Sequence, residues 1–257
     1  MGGTVVIKWG GGLITHKEHL CTVNSEVIDS LAAACSRSDK KLVIVHGAGS
    51  FGHMKAKKYR LAEGRVDGIF QNDAIAEGRS DMLELNDLEM QSLTQHGLHA
   101  QTFAPHTWAK GTGPKFEGEL PVCDGVTVLF GDVVADSERE FGILSGDDIV
   151  FRYATELPDV ERVVFAIGGV DGILKIPPAR AGPEDLIEIW DPSMFFEGDH
   201  ATEIDVTGGI GLKASRGAMI AEKGIEVTLV NGEYADRVLA AIEGRAVIGT
   251  RIVAGNP

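Results

Sequence analysis

The chain has 257 residues and a formal net charge of −14, with 44% apolar and 24% charged side chains, the balance of an ordinary globular protein able to bury a core without disulfides or metals. The acidic balance repels polyanions, so neither nucleic acid nor anionic membrane is an expected partner, and a phosphate-bearing substrate has to be met by a local cluster of lysines and backbone N–H groups. Cys21, Cys35 and Cys123 show no CxxC spacing and read as reduced thiols of a cytoplasmic protein rather than a disulfide framework or zinc site.

In chain order, Thr4–Trp9 reads as a buried strand that runs into Gly10-Gly11-Gly12. His16, His19 and Cys21 lie close together, but no second ligand pair follows at metal-site spacing. Asn24 is positioned as the N-cap of a helix through about Ser36. Lys41–His46 is a second buried strand, ending in Gly47-Ala48-Gly49. A long helix is expected from about Asp73 to Gln95, with Met82, Leu85, Leu88 or Glu89, and Leu93 on its inner side. Ala100–Phe103 and Gly125–Phe130 read as strands, Val133–Ile143 as a hairpin, Asp147–Leu157 as a helix and Val163–Ile167 as a strand. The Pro-, Gly- and acid-rich stretch Pro177–Gly198 reads as a surface excursion. A helix opening with Gly208-Gly209 spans Thr207–Lys223, followed by strand Glu226–Val230, helix Ala235–Ile242 and strand Gly249–Val253. Short apolar strands alternating with helices predict an α/β fold with a mostly parallel, helix-covered sheet. A composition shift near Pro158 points to two lobes on one continuous sheet. The opening strand leaves no room for a signal peptide, and no apolar run approaches about 18 residues, so a secreted or membrane-spanning protein is not expected.

Ligands of such sheets bind at the carboxyl ends of the strands, and glycine there exposes backbone N–H groups to phosphate oxygens. Gly10-Gly11-Gly12 and Gly47-Ala48-Gly49-Ser50-Phe51-Gly52 both stand at strand ends, with a third glycine cluster at a helix start, yet none matches the P-loop or dinucleotide fingerprints. Lys8 is a charge inside an apolar strand, which is costly unless it meets an anion. Lys213 follows the Gly208-Gly209 cluster closely enough to reach the same phosphates from a helix start. Ser145-Gly146-Asp147-Asp148 puts two carboxylates at a helix start: one suits capping, and the other suits holding lysines or binding Mg²⁺ through water. His53, at the end of the second glycine run, can donate a hydrogen bond to phosphate. Together these predict phosphoryl transfer from ATP-Mg²⁺ to a small acceptor.

In order along the chain, Lys8-Trp9-Gly10-Gly11-Gly12-Leu13-Ile14-Thr15-His16-Lys17, His46 to His53, Phe130-Gly131-Asp132-Val133, Ser145 to Asp148, Val170-Asp171-Gly172-Ile173, Asp205 to Lys213 and Gly249-Thr250-Arg251-Ile252 resemble the motifs of the amino acid kinase superfamily and, within it, of the isopentenyl phosphate kinase family. The resemblance implies a three-layer αβα sandwich, with an acceptor-binding lobe over about 1–157 and a nucleotide-binding lobe over about 158–257. It implies that Lys8 and Lys213 stabilise the transferring phosphoryl group, that Lys17 contacts ATP phosphates, and that Asp147 organises the lysines. His53 would hold the acceptor's phosphate together with Gly47, Ala48, Gly49, Ser50, Gly52 and Gly146. The nucleotide would lie against Gly10, Gly11, Gly12, Gly168, Asp171, Gly172, Gly208 and Gly209. The implied acceptor is an isoprenyl monophosphate whose tail needs an apolar slot walled by the long helix after Phe70, and the implied assembly is a homodimer. Two positions depart from the pattern: Gly12 stands where the family usually has Ser, and Gly168-Gly169 where it has Thr-Asp, which bears on nucleotide preference. The alternatives are a related kinase for a phosphonate acceptor and a non-catalytic nucleotide-binding protein of the same fold.

Overall fold

The structure, a computed structural model, describes residues 3–16, 18–194 and 209–255. Its strands are β1 (Thr4–Trp9), β2 (Lys41–His46), β3 (Ala100–Thr102), β4 (Val126–Phe130), β5 (Asp132–Asp136), β6 (Glu140–Leu144), β7 (Val160–Ile167), β8 (Ile189–Trp190), β9 (Glu226–Asn231) and β10 (Thr250–Ile252). Its helices are α1 (Gly11–Ile14), α2 (Ser25–Ser36), α3 (Gly49–Lys58), α4 (Gln71–Gln95), α5 (Gly146–Glu156), α6 (Gly209–Ala221) and α7 (Ala235–Ile242). Eight strands form one sheet in the order β3-β4-β2-β1-β7-β9-β10-β8, parallel except where β10 meets β9, and β5 pairs with β6 as a separate antiparallel hairpin.

The sheet is covered on both faces. Val5, Ile7 and Trp9 pack with Leu31 of α2, Leu85 of α4 and Ile242 of α7. Val6, Val43 and Phe165 pack on the other face with Ile149 of α5 and Ala218 of α6. Alternate residues of β1 therefore go to different layers and all are buried, which is why the strand reads as an unbroken apolar run. Each such side chain contributes about 1.5–3 kcal/mol by leaving water. The period of two places Lys8 on the Val6 face, toward α5 and α6.

Several elements differ from the expectation. The stretch after Gly47-Ala48 is not an extended glycine loop: Gly49 to Lys58 is helix α3. Helix α4 begins two residues early, at Gln71, whose buried side chain accepts from Val66 N and donates to the Tyr59 and Gly64 carbonyls, stapling the preceding connection. On α4 the inward residue is Glu89, while Leu88 is half-buried. Asn24 holds the N-cap position of α2, but its amide reaches Leu13 O at 3.5 Å instead of capping. The excursion after Pro177 returns to the sheet as edge strand β8, held parallel to β10, with Trp190 buried.

Candidate active site

Strands β1 and β2 run in parallel register, Trp9 beside His46, so the glycine runs that follow them start side by side. The two runs touch. A methyl on Gly11 would lie 2.3 Å from Gly49 N, and one on Gly47 would lie 2.4 Å from Gly11 N, so only glycine permits this approach of backbones. The N–H groups of Gly11, Gly12, Ala48 and Gly49 make no hydrogen bond among the described residues. They cluster at the carboxyl ends of the parallel strands, at the starts of α1 and α3, where an anion is favoured.

Beside them, Lys8 Nζ lies 3.3 Å from Asp147 Oδ1, and Lys213 Nζ lies 3.3 Å from Asp147 Oδ2. Lys213 also donates to Gly209 O at 3.2 Å. Lys8 and Asp147 are almost wholly buried. Burial pushes the Lys8 ammonium below its ordinary pKa, opposed by Asp147. Burial alone would raise Asp147, but Lys213 and then Lys8 outweigh it and hold the carboxyl below the usual range. Two ammonium groups around one carboxylate leave a net positive centre inside an acidic protein, which suits a polyanion. Gly146 makes room for it, since a methyl there would sit 2.0 Å from Lys8 Nζ.

The two adjacent carboxylates have different partners. Capping of α5 is done by Ser145, whose hydroxyl accepts from Asp147 N. Asp148 turns to Arg216 of α6, at 2.6 Å, and burial raises its pKa against the pull of that arginine.

Residues 3–231 match the description of the amino acid kinase family. The chain belongs to the amino acid kinase family. The isopentenyl phosphate kinase of Thermoplasma acidophilum is 30% identical over 96% of this chain and 99% of its own length. That of Methanothermobacter thermautotrophicus is 28% identical over 96% and 98%. A crystal structure of isopentenyl phosphate kinase superposes on 97% of this chain and 100% of that one, with a TM-score of 0.81 and 26% identity.

Within this family member, Lys8, Gly10, Gly11, Gly12, Gly47, Ala48, Gly49, Gly146, Asp147, Gly209 and Lys213 converge where α1, α3, α5 and α6 meet the sheet. His53 stands one turn after Gly49 on α3 and is half-buried, with Gly52 beside it. Ser50 is buried and ties α3 to the neighbouring loop: its N–H donates to Thr15 Oγ1, and its hydroxyl accepts from Thr22 N. Lys17 and Gly208 lie outside the described residues. Gly168 abuts the first glycine run, where a methyl would lie 3.0 Å from Gly12 O. Asp171 and Gly172 sit farther along, at the β9 and β10 side. Asp171 pairs with Arg237 at 2.6 Å, and Gly172 packs against Thr250. Arg216, Arg237 and Glu233, whose carboxylate accepts from Gly169 N at 3.1 Å, were not singled out from sequence. Only Arg216 carried a signal, lying one helical turn after Lys213.

Among the described residues no helix is long and apolar enough to cross a membrane, and no three His, Cys, Asp or Glu side chains converge as metal ligands.

Proposed function

We propose that this protein is an ATP-dependent isopentenyl phosphate kinase, forming isopentenyl diphosphate and ADP for isoprenoid synthesis. The observation that carries the reading is the Lys8–Asp147–Lys213 cluster set beside two touching glycine runs, one opening the helix that bears His53, in a chain alike over nearly its whole length to isopentenyl phosphate kinases. The free N–H groups of Gly11 and Gly12, with Lys17, hold ATP phosphates. Those of Ala48 and Gly49, with His53, hold the acceptor's phosphate. The half of the sheet built before residue 158 thus carries the acceptor site together with the phosphate-binding Gly10, Gly11, Gly12 and Lys17, and the half built after it serves the rest of the nucleotide through Gly168, Asp171, Gly172, Gly208 and Gly209.

An acceptor phosphate oxygen attacks the γ-phosphorus in line, the bond to the β-phosphate oxygen breaks, and ADP leaves without a phosphoenzyme. Lys8 and Lys213 stabilise the charge on the moving phosphoryl group, and Asp147 fixes their ammonium groups in place. Mg²⁺ bound to the ATP phosphates would neutralise part of their charge, while Asp147 is engaged by Lys8 and Lys213 and Asp148 by Arg216. Homodimer assembly and a cytoplasmic location belong to the same reading and rest on the family resemblance.

The test is a coupled ADP-release assay with ATP-Mg²⁺ and isopentenyl phosphate, fosfomycin or no acceptor. Turnover is expected on isopentenyl phosphate alone, and its absence would overturn the acceptor. His53→Ala is expected to raise the acceptor KM, and Lys213→Ala to lower kcat.

A further inference from the structure

Thr15 follows helix α1 and is almost wholly buried where the two glycine runs meet. Its hydroxyl donates to Gly11 O at 2.7 Å and accepts from Ser50 N at 3.0 Å. Gly11 belongs to the first run, and Ser50 continues the second in the first turn of α3. One oxygen atom therefore bonds to both runs. A hydroxyl does this without conflict, since it carries one donor and two acceptor positions.

The surroundings are built for this bridge. Helix α3 has Ala48 at its N-cap position and no side-chain cap of its own, so Thr15 serves one of its orphan N–H groups from another segment. Phe51 N is held by Ala48 O at 3.0 Å. That leaves the N–H groups of Ala48 and Gly49 at this helix end for an anion. The approach depends on glycine: Gly49 stands at φ +48°, and a methyl on it would collide with Thr15 Oγ1 and lie 2.5 Å from Gly11 O. Thr15 is itself fixed to the first run, because its N–H also donates to Gly11 O, at 3.1 Å, and its backbone bridges to Val23. The same loop holds Ser50 from the other side, where Ser50 O accepts from Cys21 N at 3.3 Å and the Ser50 hydroxyl accepts from Thr22 N at 3.2 Å.

We propose that Thr15 is a positioning residue: its hydroxyl sets the spacing of the second glycine run against the first, and so the in-line distance between the phosphates the two runs hold. It acts through Gly11 O and Ser50 N. The inference rests on the proposed assignment of donor and acceptor phosphates to the two runs for its kinetic readout only.

Thr15→Val keeps the volume and removes the hydroxyl, whereas Thr15→Ser keeps the hydroxyl and removes a buried methyl. Kinetics with ATP-Mg²⁺ and isopentenyl phosphate, and a thermal melt of each protein, separate positioning from packing. Thr15→Val is expected to lower kcat about tenfold with both KM values little changed. Each run still holds its own phosphate but no longer at a fixed distance from the other, and misplacement by about 1 Å costs up to roughly a hundredfold. Thr15→Ser is expected to melt below the wild type yet keep its kcat, so that rate follows the hydroxyl rather than stability. Amide hydrogen exchange followed by NMR reads the bond itself. The Ser50 N–H is expected to be protected in the wild type and in Thr15→Ser, and to exchange rapidly in Thr15→Val. An unchanged kcat in Thr15→Val, a kcat that falls in both variants along with their melting temperatures, or a rapidly exchanging Ser50 N–H in the wild type would overturn the proposal. Ser50 protection that follows the hydroxyl in a protein inactive on isopentenyl phosphate would support the bridge between the runs and remove only the acceptor assignment.

Discussion

Replacing Gly11 with Ala tests whether contact between the two glycine runs sets the geometry of transfer. The new methyl would lie 2.3 Å from Gly49 N, 2.8 Å from Gly49 Cα and 3.1 Å from Gly47 C, whereas ordinary contact begins at 3.4 Å. These are backbone atoms at the ends of buried strands, so they cannot swing aside as a side-chain tip would. The runs must therefore part by about 1 Å. On the proposed assignment one run holds the donor phosphates and the other the acceptor, so that separation falls on the transfer distance. A misplacement of about 1 Å costs roughly a hundredfold in rate, or about 2.7 kcal/mol of barrier. Overpacking also destabilises by about 1–3 kcal/mol. The assay is ADP release at saturating ATP and acceptor, with both KM values and a thermal melt. A folded variant with a hundredfold lower kcat and a modestly lowered melting temperature is expected. A kcat within threefold of wild type in a variant that melts normally would refute the argument.

Asp147→Asn leaves the buried Lys8 and its neighbour Lys213 without their shared counter-ion, a change that costs about 3–5 kcal/mol in buried pairs. ATP-Mg²⁺ should then raise the variant's melting temperature more than the wild type's, because phosphate supplies the missing negative charge; equal shifts would contradict the role given to Asp147. His46, held neutral by burial with its pKa moved from 6.5 to about 4, makes stability depend on pH in a defined direction. Between those values the unfolded chain binds the proton and the folded chain does not. Stability is therefore whole above about pH 6.5 and declines as pH falls toward 4, by about 3 kcal/mol in total. Denaturant melts of wild type and His46→Asn across that range check this, and parallel slopes in the two proteins would rule it out.

Much of this molecule follows from short-range rules. The strands Thr4–Trp9 and Lys41–His46 were legible because a strand covered on both faces must be apolar throughout, and the glycine runs after them because only such turns bare N–H groups to phosphate. Lys8 stood out because a charge within such a strand needs a partner. Helix α3 was hidden, since Gly49 and Gly52 suppress its helical signal, Gly49 while meeting the Gly11 backbone and Gly52 while leaving room for the Ala48 side chain. Only the tertiary structure decided the rest. Asp147 and Asp148 look alike in sequence, but successive helical positions point about 100° apart; α5 lies so that one faces Lys8 and Lys213 and the other Arg216. Helical periodicity left Leu88 and Glu89 as equal candidates for the inside of α4, and the polar one was chosen because His46, 43 residues away in the chain, is there to meet it. The composition after Pro177 suggested surface chain, and the open edge of β10 made two of its residues a strand. Sequence determined which segments could be buried and which groups could carry charge, because those preferences are local. Which group meets which was decided by long-range packing, because the partners come together only when the layers close.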